Sequence, residues 1–267
     1  MTVLTKLINR LRGARHIGRK RLEMELRNGE PEIRLVPLLA DKEADFLDIG
    51  ANDGVYSFCA LPHFRQVIAV EPHPRFRKWL SRLLKPNGRV ITSALSDTAG
   101  KAELHIPQAS DADITTRSSL QHDANPGYPQ RTVAVPVTTV DALGLDRLAV
   151  VKIDVEGHEL KVLRGAIQTL QRDKPVCIVE SEERHNAGGI AQVFDFFRSI
   201  GYDIWFVHRG LICEGRQFDA VTLQQSGNWK TVTGERSPDY VNNFIFVHPA
   251  NASGLDKIRQ FLASAAT

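Results

Sequence analysis

The sequence predicts an α/β protein built on a doubly wound, mostly parallel sheet with helices on both faces. Three observations carry that expectation. From residue 44 onward, short apolar runs alternate with stretches whose apolar residues recur every three or four positions, the rhythm of a parallel sheet covered on both sides. The first run ends in Asp48-Ile49-Gly50-Ala51-Asn52-Asp53-Gly54, an acidic residue followed by a Gly-x-x-x-Gly turn. The second ends in Glu71, twenty-one residues after Gly50, where doubly wound sheets place a carboxylate that accepts ribose hydroxyls.

Taken in order, the chain opens on a basic segment. Residues 1–27 hold eight Lys and Arg against Glu23 and Glu25, so 8 − 2 = +6, while the remaining residues carry 26 − 29 = −3 of the net +3. Leu4, Leu7, Ile8 and Leu11 fall on one helical face with Lys6, Arg10 and Arg12 elsewhere, and Gly13 is expected to interrupt the helix. Such a helix docks its apolar stripe on the main domain or lies on an anionic membrane surface. The organisation expected is a basic helical segment over 1–42, the α/β domain over 43–250 and a helical tail over 251–267.

Strands are expected at 44–49, 66–71, 89–94, 148–153, 175–180 and 203–208, with a last one at 243–248 closing the sheet edge. Helices are expected at 55–61, 74–84, 158–171 and 190–200; Leu160, Leu163, Ile167 and Leu170 mark the third by their spacing. Between 100 and 136 the rhythm fails. Runs at 102–106 and 132–137 read as strands around a polar stretch, 108–130, whose Arg117, His122 and Tyr128 suit either a lid over a ligand or a plain surface insertion. A similar polar gap runs from 216 to 239.

With 267 residues, 42% hydrophobic and 24% charged, the composition excludes disordered and fibrous classes. No run reaches the roughly 18 apolar residues of a membrane span and no secretory signal opens the chain, so a cytoplasmic protein is expected. Cys59, Cys177 and Cys213 are odd in number and set among apolar residues, as reduced packed thiols are.

The turn from Gly50 through Asn52 to Gly54 lets backbone amides approach a ligand at a helix N-terminus. Its spacing is wrong for a dinucleotide, which needs Gly-x-Gly-x-x-Gly. Asp48 argues against phosphate and for a cationic or hydroxyl-bearing ligand such as S-adenosylmethionine, with Glu71 on the ribose. Small residues at the end of the third strand, Ala94 among them, would flank the adenine, and Asp97 would reach its amine. An ordinary tight turn and a helix cap would use some of the same residues.

These blocks, together with Val70-Glu71-Pro72-His73-Pro74, Ala94-Leu95-Ser96-Asp97, Thr138-Thr139-Val140-Asp141-Ala142-Leu143 and Lys152-Ile153-Asp154-Val155-Glu156-Gly157-His158-Glu159, resemble the FkbM family of S-adenosylmethionine-dependent methyltransferases over roughly 44–208. The resemblance implies a class I methyltransferase (Rossmann-like) fold and O-methylation of a sugar, glycan or polyketide hydroxyl. No motif for methylating base amino groups or pyrimidine carbon is present, and nucleic acid is not an expected partner.

At the reaction end the fourth strand delivers Asp154, with Glu156, His158 and Glu159 following, and the fifth delivers Glu180, Glu182, Glu183 and His185. The catalytic candidates are Asp154, His158 and Glu180. Two chemistries fit: a general base taking the hydroxyl proton, or Mg²⁺ on Asp154 and Glu180 that acidifies the hydroxyl. Helix-end charges complementing the macrodipole are the plain alternative for Glu156, Glu159 and Glu182. The expected partners are a small-molecule or glycan acceptor and, through residues 1–27, the inner face of a membrane.

Overall fold

Residues 3–109, 112–225 and 237–265 are described by the computed structural model, with the side chains of all of these except 3–12 and 265. Helix α1 (Val3–Asn28) leads into a 3-10 helix over 31–39. Then follow β1 (Asp45–Ile49), α2 (Val55–Ala60), β2 (Val67–Val70), α3 (Pro74–Leu83) and β3 (Gly88–Ile91). Next come β4 (Ala94–Leu95), β5 (Gly100–Ala109), β6 (Ala112–Asp113) and β7 (Gln130–Thr138). The second half holds β8 (Leu148–Ile153), α4 (Glu159–Arg164), α5 (Ile167–Asp173), β9 (Val176–Glu180), α6 (Gly189–Ser199), β10 (Asp203–His208) and β11 (Leu211–Glu214). It closes with α7 (Ala220–Leu223), β12 (Asn243–Val247) and α8 (Ala252–Ala265).

The main sheet has eight strands in the order β11-β10-β12-β9-β8-β1-β2-β3. Strands β1, β2, β3, β8 and β9 are parallel, while β12 runs antiparallel to both β9 and β10. The chain leaves β1 toward β2 on one side and returns to β8 on the other, so the strand order reverses between β1 and β8. A crevice opens there, beyond the carboxyl ends of the strands. This is the doubly wound, class I arrangement that the resemblance implies.

Side chains alternate across the sheet. Leu47, Ile49, Val151, Ile153, Cys177 and Val179 face one core with Leu163, Leu170 and Phe197; Phe46, Val67, Val150, Val176 and Ile245 face the other with Tyr56, Leu80, Leu83 and Ile258. Phe197 stacks on Phe246 at 3.7 Å between ring centroids, the type of buried pair whose truncation costs about 3–5 kcal/mol. Cys59 and Cys177 are buried and Cys213 half-buried, all as free thiols.

Several expectations are corrected. Strand β12 does not close the sheet edge: it inserts between β9 and β10, and β11 forms that edge. The helix expected over 158–171 is broken into α4 and α5 at Gly165, where the Ser96 carbonyl packs so closely that a Cβ would lie 2.0 Å from its oxygen. The strand expected over 89–94 is two strands in different sheets. Gly13 does not interrupt α1. Helix α1 docks through Ala14, Gly18, Leu22 and Leu26 on the core that holds Phe58 and Leu83; the stripe Leu4, Leu7, Ile8 and Leu11 lies outside the described side chains. Strands β5 and β7 form a long antiparallel pair flanking the polar stretch 108–130, which itself holds β6 and 3-10 turns over 115–117 and 122–124, with β4 on the far side of β7. Much of the gap from 216 to 239 lies outside the described residues. Among the described residues no helix is long and apolar enough to cross a membrane.

Candidate active site

Two chambers share the crevice. The narrower is walled by Gly50, Glu71, Ala94, Leu95, His158 and the segment 115–120. The larger, about 440 Å³, is walled by Glu30, Asp48, Tyr56, Lys152, Glu180 and Tyr240 among others. Gly50, Asn52, Thr115, Thr116, Asp154 and Glu156 belong to both and form the junction.

The junction depends on Gly50. Its φ of +81° lies in the left-handed region, and a Cβ there would sit 1.7 Å from the carbonyl oxygen of Asp154, so only glycine lets β1 and β8 end this close together. Asn52 turns next, and its N–H donates to Glu71 Oε2 at 2.7 Å; the N–H of His73 donates to Oε1, also at 2.7 Å. These bonds aim the carboxylate while leaving each oxygen a second lone pair. Burial nevertheless pushes Glu71 up to about 7. His158 closes the far wall. Gln121 donates to its Nδ1 at 3.2 Å, which makes Nε2–H the donor to Ser96 Oγ at 2.9 Å, and burial holds the ring down at about 4. It is therefore a neutral, fully engaged imidazole. The segment 115–120 covers this chamber, pinned where Ser119 Oγ donates to the Glu156 carbonyl at 2.6 Å.

Register builds the larger chamber. Asp48 pairs with Lys152 across β1 and β8, and Glu180 with Asn243 across β9 and β12, so four polar residues lie at or next to the ends of four strands on one face. Lys152 is fully buried. Its Nζ donates to Asn243 Oδ1 at 3.0 Å, lies 3.8 Å from Asp154 Oδ2 and 4.0 Å from Glu30 Oε2, and sits over the Tyr56 ring. Burial works against its charge, but Asp154, Glu30, Glu180 and Asp48 outweigh that and hold its pKa above the usual range. Burial raises Asp48, hydrogen-bonded to Ser57, to about 6. Asp154 is raised to about 7 by burial, with Glu156 and Glu30 adding to it against Lys152. Glu180 is pushed well above the usual carboxylate range by burial and by Asp154. Glu182, by contrast, pairs with Arg184 and Tyr240; these offset burial and hold it at about 2.

Of the residues singled out from the sequence, Asp48, Gly50, Asn52, Glu71, Ala94, Asp154, His158 and Glu180 meet in the crevice. Two do not line it. Gly54 faces Leu80 on α3, and Asp97 is exposed, held by Ser96 and Thr98. Glu159 is buried and accepts the Gly157 N–H at 2.8 Å, a first-turn role. Sequence reasoning missed Glu30, Tyr56, Lys152, Tyr240, Asn242 and Asn243. A signal existed for Lys152, because a lysine inside an apolar strand must be buried with counter-charges. Asn242 donates to Glu180 Oε1 at 2.8 Å and to Glu182 Oε1 at 3.1 Å, a link across 62 and 60 residues that spacing does not reveal.

Residues 48–204 match the Methyltransferase FkbM domain family. No curated protein matches the chain. Among solved structures, the methyltransferase FkbM from Methylobacillus flagellatus KT is 15% identical with a TM-score of 0.49, and the match covers 77% of this chain but 44% of that one. A TehB-like S-adenosylmethionine-dependent methyltransferase from Corynebacterium glutamicum is 10% identical at a TM-score of 0.39, covering 88% and 96%. An rRNA methylase from Streptococcus thermophilus is 9% identical at 0.43, covering 80% and 91%. The chain thus spans less than half the length of the FkbM structure it matches.

Proposed function

The chain belongs to the FkbM methyltransferase family, and on that premise we propose that it transfers the methyl group of S-adenosylmethionine to a hydroxyl of a saccharide, glycan or glycolipid. The narrower chamber takes the adenosine, with Glu71 on the ribose and Ala94 beside the base. Asp48 and the backbone from Gly50 to Asn52 face the methionyl end. The acceptor enters the larger chamber, and the sulfonium lies at the junction beside Asp154. We take 43–250 as the catalytic domain and 1–42 and 251–267 as helical flanks packed on it. We assign the protein to the cytoplasm at the inner face of a membrane.

One observation carries the reading: Asp154 and Glu180 are half-buried carboxylates facing the larger chamber, Asp154 raised to about 7 and Glu180 well above the usual carboxylate range, and Asp154 stands at the junction with the narrower chamber. A base near pH 7 is the type this reaction needs. The hydroxyl oxygen attacks the methyl carbon in line, the carbon–sulfur bond breaks with its electron pair going to sulfur, and the hydroxyl proton passes to the Asp154–Glu180 pair. The acidic chamber favours the cationic donor and leaves acceptors for hydroxyl donors. His158, neutral and bonded at both nitrogens, acts as a positioning residue for the adenosine wall.

A second reading has its own observation. Asp154, Glu156 and Glu180 offer ligand oxygens within 4.8 Å of one another, a donor set that suits Mg²⁺, although Lys152 already supplies positive charge there. Calorimetry with S-adenosylmethionine, then transfer of labelled methyl to hydroxylated glycans with and without EDTA, tests both. Absence of cofactor binding, or equal binding by Glu71→Ala, would overturn the first reading. Activity lost in EDTA and restored by Mg²⁺ would select the second.

A further inference from the structure

Between positions 74 and 89 the chain carries Arg75, Arg77, Lys78, Arg82, Lys85 and Arg89 and no acidic residue. All six are exposed, and among the described residues none is paired with a carboxylate. Helix α1 lies antiparallel beside them: Arg15 Nη2 donates to the Lys85 carbonyl at 2.7 Å, Gly18 faces Leu83, and the Arg21 guanidinium sits 4.9 Å over the Trp79 ring. Arg15, Arg19 and Lys20 are exposed as well. Two neighbouring helices therefore present one basic surface.

That surface ends at the mouth of the larger chamber, where Arg21 and Arg75 form part of the wall. Inside stand Glu30, Asp154, Glu156 and Glu180. Charge changes sign across the mouth, basic outside and acidic within. A polyanion is thus attracted to the rim and kept out of the pit.

We propose that the α1–α3 face is a docking surface for an anionic lipid membrane, holding the chamber mouth against the headgroup layer. The direction it gives the acceptor, a hydroxyl-bearing headgroup entering from a membrane, rests on the proposed function; the surface itself does not. Ile17 and Met24 on α1 are 44% and 68% exposed among the basic residues, as on helices that lie in a bilayer interface. Trp79 is covered by Arg21 and so offers no open ring for base stacking, which favours lipid over nucleic acid.

The test uses the full chain and sedimentation with phosphatidylcholine vesicles, pure or with about 30% phosphatidylglycerol, since each basic residue near an anionic surface contributes about fivefold to partitioning. The variant R77Q/K78Q/R82Q/K85Q alters four exposed residues, none of which lines a chamber. Wild type is expected to prefer the anionic vesicles, and the variant to lose at least about thirtyfold in partitioning while titrating with S-adenosylmethionine like wild type. The charge-conserving R77K/R82K should retain the preference, which separates charge from folding. Equal partitioning of wild type onto both vesicles, undiminished binding by the quadruple variant, or binding to duplex DNA with none to vesicles would each overturn the proposal. Failure of wild type to bind the cofactor would count against the proposed function and leave the vesicle result readable.

Discussion

The ammonium of Lys152 donates to Oδ1 of Asn243 at 3.0 Å across 91 residues of chain, joining the fourth parallel strand of the sheet to a strand that runs the other way. With Asp154, Glu30, Glu180 and Asp48 around it, this lysine is the counter-charge for most of the acidic chamber.

Lys152→Met is therefore expected to be severely destabilising. It preserves much of the side-chain volume but leaves buried carboxylates without their cation, the situation that costs about 3–5 kcal/mol. Urea denaturation checks this. A loss under about 1 kcal/mol would mean that the carboxylates are held neutral without help from Lys152.

The raised carboxylates set a pH dependence of stability. Asp48 sits at about 6 and Glu71, Asp154 and Glu159 at about 7, all raised first by burial, against about 4 in an unfolded chain. Between those values the folded state binds protons that the unfolded state has released, so stability falls as pH rises from about 4.5 through 7. Glu182 acts oppositely, and its contribution is lost only as pH falls from about 4 toward 2. The Tm of the ligand-free protein should drop by about 5 °C or more between pH 5 and pH 8. Saturating S-adenosylmethionine, whose positive charges favour the ionised carboxylates, should narrow that difference; a ligand-free Tm that climbs over the same range would contradict it.

Gly50→Ala should abolish cofactor binding and lower stability by about 3 kcal/mol or more, because the new methyl group meets the Asp154 carbonyl in a left-handed backbone. Gly100→Ala, where nothing lies within 4 Å and φ is not positive, is the matched control and should fold and bind normally. Calorimetry and thermal melts on the two variants make the comparison.

Ser119→Ala removes the bond that pins the covering segment to the Glu156 carbonyl. Faster release of S-adenosylmethionine, by about five- to tenfold for a bond worth about 1 kcal/mol, is expected with little change in Tm. Stopped-flow release and hydrogen exchange over 115–121 would show it, and unchanged release would mean that the segment does not close the chamber.

The sheet was legible because its strands are apolar runs bounded by Gly, Pro and acidic residues, and strands 148–153 and 203–208 fall where expected. The position of β12 was not, since nothing in Asn243–Val247 records which neighbours it pairs with; that choice is made by long-range packing. Gly165 looked like an ordinary residue within a helical pattern, and the approach of Ser96 that breaks the helix comes from 69 residues away. In the site, residues at strand ends were visible because the fold fixes where strand ends point. Glu30, Tyr240 and Asn242 were not, as they reach the same crevice from segments outside any strand–turn–helix motif. The alternation along β8 and β12, continued past Val150 and Ile245, places Lys152 and Asn243 on one face, but only once the two strands are known to share a sheet.

The two chambers divide the chain unevenly. The narrower chamber lies wholly inside the family match, whereas the larger one adds Glu30, Tyr240 and Asn242 from before and after it to walls that are otherwise mostly within it. Under the proposed function, donor handling falls inside the family match, while acceptor handling draws on it and on segments to either side. A chimera that keeps 48–204 and exchanges the ends with those of a relative should inherit the relative's acceptor while keeping its own cofactor affinity, and natural drift at the two termini would change what is methylated without touching how.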